Sequence, residues 1–112
     1  MKKNNDIKIE RAYNLIGQKI KYFRKEKDIS QKELADKIEM SRTSLVQIEN
    51  GVQKIQIDKL YQIADVLNIT VSDLIPNEEE IKIKITSISN NEINPTDIKE
   101  VIDIINRRKS ND

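Results

Sequence analysis

Ser30 and Glu33 stand three residues apart at the head of SQKELADKIEMSRTSLVQIENG, residues 30–51. That spacing suits a capping box, in which a hydroxyl and a carboxylate each satisfy an orphan N–H of a helix start. Ser41, eleven residues after Ser30, is a second N-cap candidate. Gly51 can supply the left-handed position that ends a helix. These side chains offer hydrogen bonding, not bond-making. The chain has no histidine and no cysteine, which removes the usual nucleophile–base pairs, disulfides and Cys/His zinc sites. There is no phosphate loop, and the consecutive acids Glu78, Glu79 and Glu80 have no second ligand cluster to join them. No catalytic residue, metal site or cofactor is expected.

The elements that must hold this segment follow from apolar spacing. Leu34, Ala35 and Ile38, then Leu45 and Ile48, lie on one face of each of two short helices, near residues 31–38 and 42–50. Joined by a tight turn they make a helix-turn-helix, whose second helix has the form that enters a DNA major groove. A first helix is predicted over residues 6–27, with Ile9, Tyr13, Ile16, Ile20 and Phe23 as a narrow apolar stripe. Asn5 or Asp6 is its expected cap and Asp28 its left-handed stop. A fourth helix over residues 57–67 turns Leu60, Ile63, Ala64 and Leu67 inward and stops at Asn68. Thr70 with Asp73 suggests a capping box for a short fifth helix ending at Pro76, with Leu74 and Ile75 inward. Five helices within about seventy residues can close one all-α core.

PNEEE, residues 76–80, reads as a boundary between a domain over residues 1–76 and a C-terminal extension over residues 77–112. Ile81, Ile83 and Ile85 alternate with Lys82, Lys84 and Thr86, a strand pattern. Asn94 and Pro95 then open a helix as N-cap and first residue. Ile98, Val101, Ile102 and Ile105 form a stripe along it. The expected extension is therefore a strand followed by a helix.

Net charge is only +1, but residues 1–27 hold nine Lys/Arg against three acids, and residues 76–112 hold six bases against eight acids. Charge alone does not choose between a nucleic-acid face and an ordinary solvated one. No apolar run approaches the roughly 20 residues of a membrane span. The N-terminus has no apolar core of a signal peptide. A cytoplasmic protein with no membrane partner is expected.

The run IGQKIKYFRKEKDISQKELADKIEMSRTSLVQIENG…LYQIADVLNITVSDLI, residues 16–75, resembles the Cro/C1-type helix-turn-helix family, also called the XRE family. The matches include Arg24, Ser30-Gln31 before Glu33-Leu34-Ala35, and Ile48-Glu49-Asn50-Gly51. The resemblance implies a five-helix, lambda-repressor-like domain that binds double-stranded DNA sequence-specifically. Two positions depart from the family pattern. Glu39 stands in the turn where Gly is frequent, and Ile55 where many members have Pro. A positive φ at Glu39 would cost about 1 kcal/mol.

Carried over from that resemblance, Arg42, Thr43 and Gln47 face the bases. Arginine can pair bidentately with guanine O6/N7, glutamine with adenine, and the threonine methyl can pack on a thymine methyl. Val46 either touches a thymine methyl or is simply a partly exposed helix residue. Gln31, Ser44, Asn50 and Lys54 are the expected phosphate contacts, which position a protein without reading sequence. Arg24 and Glu49 are expected to form a salt bridge between the first helix and the end of the recognition helix. The function implied is a transcriptional regulator, a repressor that covers a palindromic operator as a homodimer, with recognition helices about 34 Å apart. The stripe Ile98, Val101, Ile102, Ile105 is the expected dimer contact. Two alternatives stay open for the extension: packing on its own domain, or binding a protein partner in an antitoxin or adaptor whose DNA binding serves autoregulation.

Overall fold

The structure, a computed structural model, describes residues 3–87 and 102–103. Its elements are α1 (Asn4–Glu26), α2 (Gln31–Lys37), α3 (Arg42–Glu49), α4 (Ile57–Leu67), a 3₁₀ turn (Val71–Asp73) and α5 (Glu78–Ser87). All regular structure among the described residues is helical.

Short-range signals set most of the helix ends. Ser30 Oγ accepts the Glu33 N–H at 3.0 Å, and Glu33 Oε1 accepts the Ser30 N–H at 3.3 Å, which closes the capping box of α2. Ser41 Oγ accepts the Ser44 N–H at 3.0 Å and starts α3. Asp28, Glu39 and Asn68 take φ of 56°, 53° and 55°, and Gly51 takes 76°. The turn between α2 and α3 therefore keeps the left-handed position at Glu39 despite its side chain. The α1 start differs from the expected one: Lys3 is the N-cap, without a side-chain bond, and Asn5 and Asp6 lie within the first turn. There the Asp6 carboxylate suits the positive end of the helix dipole.

The core is formed by Ile16, Ile20, Leu34, Ala35, Ile38, Leu45, Ile48, Leu60, Ile63, Leu67 and Leu74. Ile9, at the head of the predicted α1 stripe, is 40% exposed. Gly17 lets α1 approach α3: a Cβ there would lie 2.7 Å from the Glu49 carbonyl oxygen and closer still to that of Ile48. Real side chains do not tolerate such a contact, so Gly17 is needed for this crossing.

Two expectations are corrected around Pro76. The fifth helix is a single 3₁₀ turn, in which the Thr70 N–H donates to Asp73 Oδ2 at 3.0 Å. The residue before a proline is steered away from helical ψ, so the turn has no room to grow. Leu74 is buried but Ile75 is 42% exposed.

The predicted strand at Ile81, Ile83 and Ile85 is part of α5, a helix. A lone strand beside a helical core would leave its N–H and C=O groups without a neighbouring strand, whereas a helix pairs them internally. Asn77 Oδ1 accepts the Glu80 N–H at 2.8 Å at its start, and Glu78–Glu80 occupy the acid-favouring first turn. α5 lies along α1. Leu15, Ile81 and Ile102 form a second apolar cluster, and Lys19 Nζ meets Glu80 Oε2 at 2.5 Å with both side chains fully buried. Ile98, Val101 and Ile105 lie outside the described residues, as does the rest of the helix predicted from Asn94 apart from the helical Ile102 and Asp103.

Candidate nucleic-acid interface

α3 is held from beneath and open above. Leu45, Ile48 and Glu49 are buried, while Arg42, Thr43 and Gln47 are exposed. Arg42 and Thr43 lie in the first turn, and Gln47 is one turn beyond Thr43 on the same face. The helix therefore presents an arginine, a hydroxyl with its methyl, and an amide on a rigid base. Val46 is partly buried beside them. Ser44 is also partly buried, and its backbone N–H is taken by the Ser41 cap.

A polar chain runs beneath this face. Arg24 Nε donates to Glu49 Oε2 at 2.7 Å, and Arg24 Nη2 to Glu49 Oε1 at 3.2 Å. Arg24 Nη1 also donates to the Ile29 carbonyl at 3.0 Å, which fixes the α1–α2 connection. Gln31 Nε2 donates to Glu49 Oε1 at 3.1 Å, and Gln31 Oε1 accepts from Arg42 Nη2 at 3.4 Å. One buried carboxylate thus ties α1, α2 and α3 together, and Gln31 links it to Arg42. The Gln31 amide keeps a second N–H for another acceptor. The spacing of these residues along the chain carries no sign of the Gln31–Glu49 bond.

At the other end of α3, Asn50 is the exposed C-cap. Lys54 is exposed with its Nζ 5.6 Å from the centre of the Tyr13 ring, a cation–π arrangement. Lys59 of α4 donates to the Ile38 carbonyl at 2.6 Å and so caps the C-terminal end of α2. No local pattern around Lys59 marks that role. Among the described residues no group of His, Cys, Asp and Glu could hold a metal ion. No helix among them is long and apolar enough to cross a membrane.

A short helix, a tight turn and a second helix with an exposed polar face over a buried apolar one define a helix-turn-helix DNA-binding module. The helix-turn-helix family profile matches residues 20–74. The control protein C.MunI of a Mycoplasma species is 40% identical over 77 residues, which cover 68% of this chain and 97% of that protein. The immunity repressor protein of Bacillus phage phi105 is 37% identical over 67 residues, covering 60% of this chain but only 46% of that one. Among solved structures, a SinR protein/SinI protein complex matches with a TM-score of 0.51 and 30% identity, over 85% of this chain and 98% of that one. The chain belongs to the XRE-type helix-turn-helix family. It is a DNA-binding transcriptional regulator and not an enzyme.

Proposed function

We propose that this regulator is a repressor that acts in the cytoplasm and covers a palindromic operator as a homodimer. The observation that carries the reading is the α3 face, where Arg42, Thr43 and Gln47 are exposed above the buried Leu45 and Ile48. Arg42 reads guanine, Gln47 reads adenine and the Thr43 methyl packs on thymine. Gln31, Ser44, Asn50 and Lys54 hold phosphates on either side and set the register. Two copies related by a two-fold place their α3 helices about one DNA turn, roughly 34 Å, apart. Residues 77–112 supply the dimer contact. Ile102 is buried against Leu15 and Ile81 of its own chain, which removes it from the expected dimer contact. On the helical spacing of the sequence, the face it shares with Ile98 and Ile105 turns toward α1 with it. The contact between copies then falls to residues of the extension off that face, Val101 among them.

A second reading assigns the extension to a different protein partner. It is favoured by one observation: the solved chain matched over 85% of this sequence is part of a SinR protein/SinI protein complex. Selection of binding sites from a random duplex pool by the full chain tests both. A two-fold symmetric motif supports the homodimer. A single asymmetric half-site overturns it. Salt-sensitive binding without enrichment shifts the role of the extension to a protein partner.

A further inference from the structure

A groove lies between the C-terminal half of α1 and the starts of α2 and α3. Lys21, Arg24, Lys25, Gln31, Lys32 and Arg42 line it, and no carboxylate does. Its cations are not equivalent. The Arg24 charge is already met by the buried Glu49. Lys32 pairs with Asp36 at 3.0 Å in an exposed contact of the kind that contributes little. Lys21 and Lys25 sit one turn apart on α1, half-buried and exposed respectively, and neither has a carboxylate partner among the described residues. The groove is open to solvent, which suits a strand passing along it better than a small molecule enclosed within it. Arg42 and Gln31 close one side, so whatever lies in the groove adjoins the groups assigned to base and phosphate contact.

We infer that this groove seats the DNA backbone next to the bases met by Arg42, with Lys21 and Lys25 as phosphate contacts outside the helix-turn-helix itself. The inference rests on the proposed reading of α3. It extends the footprint onto α1, and it has a physical rationale in charge. Gln31 offers a neutral amide, and the nearest arginine beneath it is neutralised by Glu49. A polyanion passing there would otherwise meet few uncompensated cations. Lys21 and Lys25 supply two, at the one-turn spacing that lets both reach a single strand. Their contribution is independent of base sequence, because a lysine meets phosphate as a point charge.

The test is the salt dependence of duplex binding by the full chain. Wild type is compared with the double variant Lys21→Gln/Lys25→Gln, on the selected operator and on a random duplex. A charge-matched control, Lys37→Gln/Lys82→Gln, removes two exposed lysines that do not line the groove. Two lost phosphate contacts should flatten the slope of log K against log salt by about 1.8. Between about 50 and 200 mM salt, that makes the wild-type affinity fall roughly tenfold more than the variant's. The loss should be equal on both duplexes, so discrimination between them is retained. A wild-type slope in the Lys21/Lys25 variant overturns the groove assignment alone. So does an equal flattening in the control, which would mark a bulk charge effect. A wild type without salt-sensitive duplex binding overturns the reading of α3 and the groove with it.

Discussion

Arg24 and Glu49 face each other through two hydrogen bonds, Nε to Oε2 at 2.7 Å and Nη2 to Oε1 at 3.2 Å, with side chains only 8% and 1% exposed. The recognition helix therefore hangs from α1 by its last residue. Truncating Glu49 would strand a buried guanidinium and release Gln31 as well. Glu49→Ala is expected to destabilise the domain by about 3–5 kcal/mol, the usual loss when one member of a buried pair is removed. Urea denaturation measures it, and an unchanged midpoint would show that the pair contributes nothing.

Arg42 and Lys54 sit at opposite ends of the interface and should fail differently. Arg42→Ala should cost about 1–3 kcal/mol on the operator and relax preference at one base position. Lys54→Ala should weaken all duplexes alike and lower the salt slope by about 1. Titrations on operator and random DNA separate the two. Equal loss on both duplexes for Arg42→Ala would remove it from the base-reading set.

Lys19 and Glu80 make the other buried pair, with both side chains at 0% exposure. Glu80→Ala removes the carboxylate that meets this buried lysine and should cost about 3–5 kcal/mol. Replacing both partners by apolar side chains, Lys19→Met with Glu80→Leu, should recover most of that or exceed wild type. Thermal melts of the three proteins decide it. A double variant as unstable as Glu80→Ala would mean that the pair is required for α5 to dock.

Backbone strain gives a prediction of the opposite sign. Glu39 holds φ at 53° in the α2–α3 turn, at a cost of about 1–2 kcal/mol for a side-chain-bearing residue. Glu39→Gly should relieve it and, after about 0.5–1 kcal/mol of extra chain entropy, leave a small net gain in stability. Gly17→Ala should do the reverse, losing about 1–3 kcal/mol, because its Cβ would press on the backbone of α3. A chemical denaturation series measures both, and a loss on Glu39→Gly would refute the strain argument.

Glu78 provides a pH readout of the α1–α5 contact. The hydrogen bond from Lys8 at 2.7 Å, then the lysine charge, hold its carboxyl below the usual 4.5. A lowered folded value means that the contact favours folding fully above the unfolded value of 4.5 and loses that effect as pH falls through the folded one. An NMR titration of Glu78 should show the depressed midpoint in wild type and a higher one in Lys8→Met, where the weaker pull of the Lys82 charge remains. The same midpoint in both would assign the shift elsewhere.

Much of the helix-turn-helix was legible because its signals act over a few residues. The capping box at Ser30, the cap at Ser41, and the left-handed stops at Asp28, Gly51 and Asn68 are all settled by neighbours within one turn. The apolar faces of α2, α3 and α4 likewise repeat at the helical period. The candidate DNA residues were a different matter. Their types suit base and phosphate chemistry, but their assignment came from resemblance, and the bonds that hold Gln31 to Glu49 and Arg42 span 18 and 11 residues.

Leu15 and Lys19 show where local reading stops. They lie on a second face of α1, off the stripe of Ile16 and Ile20, and nothing near them in the chain says that this face is covered. A lysine reads as solvated, and alternating Ile81, Ile83 and Ile85 read as a strand. Both readings turn on one event, the docking of α5 on α1, which joins Lys19 to Glu80 across 61 residues. The sequence by itself determined, to within a residue, where α2, α3 and α4 begin and end and which faces they bury, because capping and helical periodicity are short-range. Only the tertiary structure decided that residues 78–87 are helical and that a lysine is buried. Those outcomes depend on which distant groups are brought close enough to replace water.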